Sequence, residues 1–355
     1  LEKYTFGSQT SSASSKMLHG GLRYLESFDF DLVYESLTER NLWTKILPSF
    51  VQKKMFHFPI FKNSRVGKFK LRLGIILYYL FSKEFNLKNI FSTPKEILSL
   101  IPLLRSGDLL GAFNYHDAIM DDKKIVEEII KKTPSLSFAQ ENAEYQHIFD
   151  FKNKTFLVQY NQKKILCKHI VFALGPFTDH VLKKEKFINW NPIIVQSRGA
   201  HLWISKKDLP IEEPVVYQTH DERVLFFIPH ENKILIGTTD QLFNDYPGNI
   251  AITNEEKNYL LRYIKEVFPD SHITQDHIMS SIAGVRPLVR DGNNQETKKI
   301  SRKHALFIPH SHISVIAGGK YTTFRIMSQD VVKRICSQEN ISYKEHLFIE
   351  QFQKR

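Results

Sequence analysis

Apolar residues recur at helical spacing in four parts of the chain. Residues 30–47 are predicted to form a helix, because Phe30, Val33, Leu37 and Leu47 share one face. Asp29 or Asp31 is placed to cap its start, and Pro48 ends it. The same spacing predicts helices at 123–132 and 255–268. A last helix is predicted after a glycine-rich turn, with these residues on its apolar face: Phe324, Met327, Val331 and Ile335.

Strand patterns occupy much of the remaining sequence. Residues 193–240 alternate apolar and polar side chains in several short runs, which indicates antiparallel strands. Further strands are predicted at 155–160, 165–175, 278–285 and 314–318, and Leu1-Glu2 has the character of a strand end. The run IVFALG at 170–175 is continuously apolar and ends in glycine, which is typical of a buried parallel strand meeting a nucleotide. Together these patterns predict an α/β fold with an antiparallel-sheet substrate domain.

Composition narrows the class of protein. A chain of 355 residues with 42% hydrophobic and 25% charged residues can bury a large core, and two domains are expected. Cys167 and Cys336 lie far apart without a CxxC motif. This argues against a disulfide scaffold and fits a reducing cytoplasm.

The net charge of +11 comes from dispersed lysines and arginines, so no nucleic-acid partner is predicted. Residues 50–91 combine basic side chains with the apolar run LGIILYYLF. At nine residues that run is shorter than the roughly 20 needed to span a bilayer. Two interpretations of 50–91 stay open: a basic amphipathic stretch on an anionic membrane, or a buried helix with a solvated basic flank.

The densest chemistry lies in residues 10–26, TSSASSKMLHGGLRYLE. Small hydroxyl residues let the backbone approach a ligand and offer donors to phosphate. Gly20 and Gly21 permit a tight corner, and Arg23 follows with a guanidinium that suits an anion. From composition alone, a serine-rich surface loop is an equal alternative.

This segment resembles the signature of the FAD-dependent, quinone-linked (aerobic-type) glycerol-3-phosphate dehydrogenase family. Family-like motifs follow in order: GTTD at 237–240, AGVRPL at 283–288 and GGKYTTFR at 318–325. The resemblance is weakest at about 56–115. It implies oxidation of sn-glycerol 3-phosphate by hydride transfer from C2 to flavin N5, with electrons passed to quinone. It also implies a cytoplasmic protein, either free or peripheral on the inner face of the cytoplasmic membrane.

The resemblance further implies a Rossmann-like FAD-binding domain over 1–55, 117–192 and 282–355, with a substrate domain over 56–116 and 193–281. Two departures stand out. The glycine fingerprint GxGxxG and the helical C-terminal domain of longer family members are absent, so the chain is expected to be N-terminally truncated and to lack that domain. Glu2 lies where the family places the acidic residue that binds the ribose.

The residues expected to hold FAD cluster in three segments. In the first they are Glu2, Thr10, Ser11, Ser12, Ser15, Lys16, His19, Gly20 and Gly21. In the second they are Ala173 and Gly175, and in the third Gly319, Thr322 and Thr323. Lys320 is the candidate cation beside the flavin N1–C2 edge, at a helix N-terminus.

Matches to family positions near the substrate predict that Arg23, Arg286 and Arg302 bind phosphate. Lys320 is expected to contact the substrate as well, and Tyr24 either to hydrogen-bond it or to close the pocket. Arg286 and Lys320 are expected to act in catalysis. His201 and Lys320 remain rival proton acceptors. His310 and His312 are expected to lie in a turn, because two ligands without a carboxylate make a poor metal site, and no metal is predicted.

Two other functions stay open at this point. The chain could be a flavin oxidase or dehydrogenase of an amino acid or a 2-hydroxy acid, whose carboxylate needs fewer cations than a phosphate. It could also be a non-catalytic remnant or binding protein, because the glycine fingerprint is absent. The sequence predicts neither the oligomeric state nor whether quinone or oxygen accepts the electrons.

Overall fold

The computed structural model describes residues 1–83, 89–133, 137–151, 155–186, 188–248, 250–290, 300–345, 349–350 and 352. The helices among them are α1 Phe30–Ile46, α2 Lys68–Ser82, α3 Pro94–Leu100, α4 Asp122–Lys131, α5 Thr178–Leu182, α6 Asn254–Val267 and α7 Phe324–Gln338. The strands are β1 Met17–Leu18, β2 Val51–Phe61, β3 Phe91–Ser92, β4 Leu109–Met120, β5 Tyr145–Phe151, β6 Thr155–Tyr160, β7 Lys163–Cys167, β8 Ile170–Phe172, β9 Ile194–Ser205, β10 Val215–Gln218, β11 Val224–His230, β12 Lys233–Gly237, β13 Gln241–Phe243, β14 Ile278–Val289, β15 His304–His310 and β16 Ile313–Gly318.

A mixed sheet of ten strands forms the centre of the fold, with the order β1-β4-β2-β10-β11-β12-β9-β13. β14 also pairs with β9, and β3 pairs with β4. The strands predicted within 193–240 are confirmed as antiparallel β9 to β12. The parallel contact joins β10 to β2, at Val215 and His57. β9 and β14 run together over eleven residues and carry most of the candidate site.

A second sheet places two parallel strands side by side. β16 pairs with β8 in parallel and with β15 in antiparallel register. Ile313 and Val315 are fully buried, as predicted for this strand. The prediction of one strand over 165–175 was wrong, because a turn at Lys168 separates β7 from β8 and β8 ends at Phe172. Within the described residues β8 is the last strand of this sheet, and Val171 is 43% exposed, so the predicted burial of this strand holds only in part.

The helices predicted at 30–47, 123–132 and 255–268 are confirmed to within one residue at each end as α1, α4 and α6, and the last predicted helix is confirmed as α7. Asp121 caps α4 by accepting a hydrogen bond from the Lys124 N–H at 3.1 Å. Asp29 stands at the N-cap of α1 without a capping bond, and its carboxylate instead pairs with Lys303 at 3.0 Å. The local sequence predicted Asp29 as a helix cap, but in the folded chain its carboxylate forms an ion pair with a distant residue instead.

Other expectations need correction. The stretch 50–91 is not one amphipathic element but strand β2 followed by helix α2, and its residues 84–88 lie outside the described part. Leu1-Glu2 is not in a strand, although the Glu2 backbone bonds to residues 140 and 143. The domain division stays a prediction, and its boundaries at 55 and 116 fall inside β2 and β4. Among the described helices, none is long and apolar enough to cross a bilayer.

Candidate active site

The serine-rich loop is fastened to two distant elements. Thr10 Oγ1 donates to the Val285 carbonyl of β14 at 2.8 Å. Lys16 Nζ donates to Asp122 Oδ1 at 2.5 Å, and Ser14 Oγ donates to Asp122 Oδ2 at 2.6 Å. The Asp122 side chain is fully buried, so this charge pair anchors the loop. The ammonium of Lys16, a predicted cofactor contact, is therefore already engaged within the protein.

The other predicted contacts in this region are arranged locally. Ser11 ends a 3-10 turn over Gln9–Ser11, and Ser12 Oγ donates to the Gln9 carbonyl at 3.4 Å. The carboxylate of Glu2 accepts the N–H of Tyr4 at 3.0 Å. These contacts shape the loop and leave the predicted roles of Ser11, Ser12 and Glu2 as predictions.

The two glycines form the corner that the sequence predicted. The Gly20 N–H donates to Tyr78 Oη at 2.8 Å and to Asp117 Oδ1 at 3.0 Å. A β-carbon at 20 would lie 2.3 Å from Leu37 Cδ2. Gly21 has φ +75°, and a β-carbon there would lie 2.1 Å from the Tyr24 ring. Both positions require glycine, and the corner directs Tyr24 into the site.

His201 lies on β9, opposite Gly237 of β12 and Ile282 of β14. Its Nε2 is 2.9 Å from Ser15 Oγ, so the loop and the sheet meet at this ring. Nδ1 is buried and has no hydrogen-bond partner in the described residues. Burial, followed by the charges of Arg286 and Lys16, lowers the pKa of His201 to about 3. The imidazole is therefore neutral at pH 7.

Arg286 projects from β14 and is held by the β9 and GTTD segments. Its guanidinium donates to Thr238 Oγ1 at 2.7 Å and to Ser197 Oγ at 3.3 Å. It lies 3.8 Å from Asp240 Oδ1. A β-carbon at 199 would lie 2.3 Å from Arg286 Nη2, so Gly199 makes room for the guanidinium. The hydroxyl and carboxylate partners of Arg286 fix its planar fork in one orientation.

Arg302 and Lys320 bring two more cations to the same place. Arg302 Nη2 is 4.0 Å from Asp240 Oδ2. Burial is the largest cause that lowers the pKa of Arg286 to about 10, and the charge of Arg302 is the second. Burial likewise lowers the pKa of Lys320 to about 7, although Asp117 opposes the shift. Arg302 therefore lowers the proton affinity of both Arg286 and Lys320, which links the three cations electrostatically.

Lys320 contacts the aromatic corner and helix α1. Its Nζ donates to Ser36 Oγ at 2.7 Å and lies 4.8 Å from the centre of the Tyr24 ring. Tyr24 in turn stacks on His19, with ring centres 6.4 Å apart. Burial, then Lys320 and Arg302, lowers the pKa of His19 to about 3. His19 is thus neutral, although it lies close enough to Lys320 and Arg302 for their charges to act on it.

The carboxyl ends of β8 and β16 form the third part of the site. Ala173 and Gly175 follow β8, and Gly175 has φ +53°. Gly318 and Gly319 follow β16 with φ +73° and +76°. Ligands of parallel sheets bind at this edge, where backbone N–H groups are exposed. Thr322 and Thr323, both buried, open α7 beside it.

One predicted residue stands apart from this arrangement. Arg23 is exposed, and within the described chain its guanidinium has no hydrogen-bond or ion-pair partner. Sequence reasoning also missed partners that the structure supplies. Ser36 lies on α1 and Ser197 on β9, and neither belongs to a motif. Asp240 and Thr238 carried a signal, because the GTTD segment was recognised without a role.

Comparison with known proteins places this geometry in a family. Residues 1–323 match the family described as FAD dependent oxidoreductase. The aerobic glycerol-3-phosphate dehydrogenase of Bacillus subtilis strain 168 is 30% identical over 341 residues, which is 93% of this chain and 61% of that protein. The enzyme of the same name from Staphylococcus haemolyticus is 30% identical over 97% of this chain and 63% of its own length. The chain thus spans about three fifths of these relatives.

Solved structures agree on the fold. A glycerol-3-phosphate dehydrogenase from Bacillus halodurans, complexed with FAD, superposes with a TM-score of 0.75 at 24% identity. It covers 97% of this chain, which corresponds to 60% of that protein. A glycine oxidase from Geobacillus kaustophilus has a TM-score of 0.71 at 16% identity, over 96% of this chain and 88% of its own. At these identities the likeness establishes the fold alone.

Proposed function

The chain belongs to the FAD-dependent oxidoreductase family, and from this premise we propose that it forms the substrate pocket of a glycerol-3-phosphate dehydrogenase. The reaction is oxidation of sn-glycerol 3-phosphate at C2 to dihydroxyacetone phosphate. One observation carries the proposal: Arg286 and Arg302 lie 3.8 and 4.0 Å from the same carboxylate, Asp240, and the charge of Arg302 also acts on Lys320, whose Nζ is 4.8 Å from the Tyr24 ring centre. The names of the two 30% identical relatives support the same substrate.

The residues present fit an FAD cofactor. Gly175, with positive φ, leaves the end of β8 open, because a β-carbon there would meet nothing closer than Pro287 Cγ at 4.0 Å, so the backbone can approach a large ligand. Gly318 and Gly319 instead make room for Lys303 and Met327 of the protein itself. The buried, unpartnered Nδ1 of His201 is a polar atom that a bound group would satisfy. We propose that the loop at 10–21 and the two strand ends line FAD. When bound, FAD supplies the hydride acceptor.

A phosphate dianion suits the charge of this pocket. Asp240 contacts both guanidinium groups and offsets one of their two charges. Lys320 adds a third positive charge once it has accepted the hydroxyl proton. A monoanionic carboxylate needs fewer cations, so the surplus favours phosphate over an amino acid or a 2-hydroxy acid. Arg286 is best placed to bind it, because its fork is already oriented by Thr238 and Ser197.

Oxidation of an alcohol also requires a group that accepts the hydroxyl proton. A general base works best when its pKa lies near the working pH. Lys320 meets this condition with a pKa of about 7, and it borders the cation cluster. Neutral His201, with a pKa of about 3, is a much weaker base, and its Nε2 already contacts Ser15. We therefore propose that Lys320 accepts the hydroxyl proton and that His201 positions the serine-rich loop through Ser15.

The electron acceptor is proposed to be a membrane quinone, supported by one surface. On α2 the side chains of Phe69, Leu73 and Leu80 are 82%, 51% and 50% exposed. At 3.6 residues per turn they lie within about 40° of one another. Exposed Lys70 and Arg72 flank this apolar stripe. Such a face suits an anionic membrane surface, where it would bring the protein to its quinone pool.

Flotation with anionic liposomes tests the membrane contact. We expect the protein to float at low salt, and the double variant Phe69→Ser with Leu73→Ser to stay in the dense fraction. Phe138→Ser with Leu242→Ser is the matched control, because those side chains are 62% and 50% exposed elsewhere. Equal flotation of the two double variants would reject α2 as the membrane surface.

Anaerobic reduction of the purified, flavin-loaded protein tests the proposed function. Addition of glycerol 3-phosphate should bleach the visible flavin absorbance, and glycerol without phosphate should not. Bleaching by an amino acid or a 2-hydroxy acid instead would establish the second interpretation. Failure of the protein to retain any flavin would favour a non-catalytic binding protein.

A further inference from the structure

At the opposite end of the second sheet, three potential metal ligands meet that are far apart in sequence. His169 immediately precedes β8, His312 immediately precedes β16, and Glu339 is the C-cap of α7. One ligand atom from each lies within 4.8 Å of the others. We infer that His169, His312 and Glu339 form a divalent-metal site, with zinc as the ion that suits them best.

The donor set is that of a known class of site. Two imidazoles and one carboxylate with open positions are typical of zinc and other borderline divalent ions. Tetrahedral zinc holds its ligand atoms about 3.3 Å apart, given bond lengths of about 2.0–2.2 Å. His169 Nε2 and Glu339 Oε1 are already 2.9 Å apart, so these two sit closer than an ion between them requires. All three ligand atoms lie within 4.8 Å of one another, so binding requires the widest pair to close by up to about 1.5 Å.

The surroundings hold the ligands in place. The Ile170 N–H donates to the His312 carbonyl at 3.0 Å, which joins the two strand starts. The rings of His169 and His312 lie 4.9 Å apart between centres and are tilted by 33°. Ser311 Oγ is 2.8 Å from His312 Nδ1 and fixes the ring, as an outer-shell partner of a ligand does. His312 is 5% exposed, whereas the side chain of Glu339 is 27% exposed and gives access from solvent.

The alternative for these residues is a simple ion pair between His169 and Glu339. The ion pair and the metal-bound form need different forms of the ring, because an ion pair requires a protonated imidazole and a metal requires a neutral one. Two nearby cations oppose a metal. Arg334 is engaged with Ser314 and the Ser311 carbonyl, and Lys168 is exposed. In the described contacts, neither Arg334 nor Lys168 forms a hydrogen bond or ion pair with Glu339.

The proposed metal site lies at the opposite edge of the second sheet from the candidate active site. β8 and β16 are parallel, so their starts lie at the edge opposite to Gly175 and Gly318. The six residues of β16 place the two edges roughly 17 Å apart at about 3.3 Å per residue. A metal here would join two strands and the end of α7. Its effect is therefore expected on stability rather than on turnover.

Titration of the chelator-treated protein with Zn²⁺, and with Co²⁺ as a spectroscopic probe, tests the inference. We expect one equivalent per chain and the intense visible absorption of four-coordinate cobalt. A hundredfold excess of zinc over its dissociation constant should raise Tm by roughly 3–6 °C.

Glu339→Gln is the decisive variant, because it keeps the shape of the side chain and a hydrogen bond to His169. It should weaken zinc binding by more than about 100-fold, and His169→Ala and His312→Ala should do the same. Glu127→Gln and His272→Ala change exposed residues elsewhere and should leave binding unaltered. Unchanged stoichiometry and affinity in Glu339→Gln, or no saturable binding to the parent protein, would overturn the assignment.

Discussion

Ser15 Oγ lies 2.9 Å from His201 Nε2, although 186 residues separate the two in sequence. This contact joins the serine-rich loop to β9, the strand of the large sheet that pairs with β12, β13 and β14. Because His201 is 2% exposed, its ring has no water to replace a lost partner. The loop is thereby held against the site rather than left as a surface segment.

Ser15→Ala should therefore lower the free energy of unfolding by about 1–3 kcal/mol, since it leaves a buried ring nitrogen unsatisfied. Denaturation in urea measures the change. Ser99→Ala removes a hydroxyl from an exposed serine on α3 and serves as the control. A loss no greater than that of Ser99→Ala would mean that the contact adds nothing to stability.

Arg286→Ala should raise KM for glycerol 3-phosphate by roughly 10- to 100-fold, as expected for a lost charge-assisted contact of about 1.5–3 kcal/mol. Flavin content should not change, because the guanidinium bonds to Ser197 and Thr238 rather than to the loop. Arg286→Lys should recover only part of the affinity, since lysine lacks the planar fork. Steady-state kinetics measure this change. Arg262→Ala, which removes an exposed guanidinium on α6, is the control, and equal KM values for the two variants would remove Arg286 from the phosphate site.

The dependence of kcat on pH should follow the protonation state of Lys320. If the neutral amine accepts the proton, kcat rises with pH and reaches half its maximum near the pKa of about 7. Lys320→Met should lower kcat by about 10²- to 10⁴-fold and remove this limb. Lys320→Arg keeps the positive charge and should retain substrate affinity without turnover. A wild-type profile in Lys320→Met would assign the proton to another group.

The lowered pKa of Lys320 also predicts how the stability of the protein depends on pH. Burial lowers the pKa of Lys320 below its ordinary value of 10.5, so the unfolded chain binds more protons between pH 7 and 10.5. The contribution of Lys320 to the free energy of unfolding should therefore increase as the pH rises from 7 to 10.5. Below pH 7 the amine is charged in both states, and the protein bears the full destabilisation of burying that charge. Comparison of wild type with Lys320→Met by denaturation isolates this slope.

Gly237→Ala should disturb the site through packing. A β-carbon at 237 would lie 2.3 Å from His201 Cδ2 and 2.9 Å from the Ala200 carbonyl, so the ring or the strand must move. We expect a destabilisation of about 1–3 kcal/mol, together with a lower flavin content. Gly74→Ala on α2 meets nothing within 4 Å and should instead stabilise the protein by about 0.5–1 kcal/mol. Equal effects of the two substitutions would contradict the packing argument.

Asp117 supports the glycine corner from below. Its Oδ1 accepts hydrogen bonds from Tyr78 Oη at 2.7 Å, the Gly20 N–H at 3.0 Å and Arg40 Nη1 at 3.2 Å. Asp117→Ala leaves the buried Arg40 charge without this carboxylate and should cost about 3–5 kcal/mol. Asp31→Ala, whose parent side chain is 97% exposed, should be close to neutral in the same urea titration. A cost below about 1 kcal/mol would show that the network reorganises.

The sequence by itself determined most of the elements and much of the site. Helical spacing located α1, α4, α6 and α7, because each buries one apolar face along a local stretch. The HGG corner was predictable because only glycine tolerates such close approach by Leu37 and Tyr24. The resemblance in the motifs at 10–26, 237–240, 283–288 and 318–325 pointed to the family that the comparison establishes.

Only the tertiary structure decided which side chains meet. Asp122 binds Lys16, Ser36 contacts Lys320, and Glu339 joins His169, in each case across more than a hundred residues of chain. No periodicity encodes such pairs, because they depend on how sheets and helices stack. The same holds for proton affinities: the lowered pKa values of Lys320 and His201 arise from burial and neighbouring charge, which exist once the chain has folded.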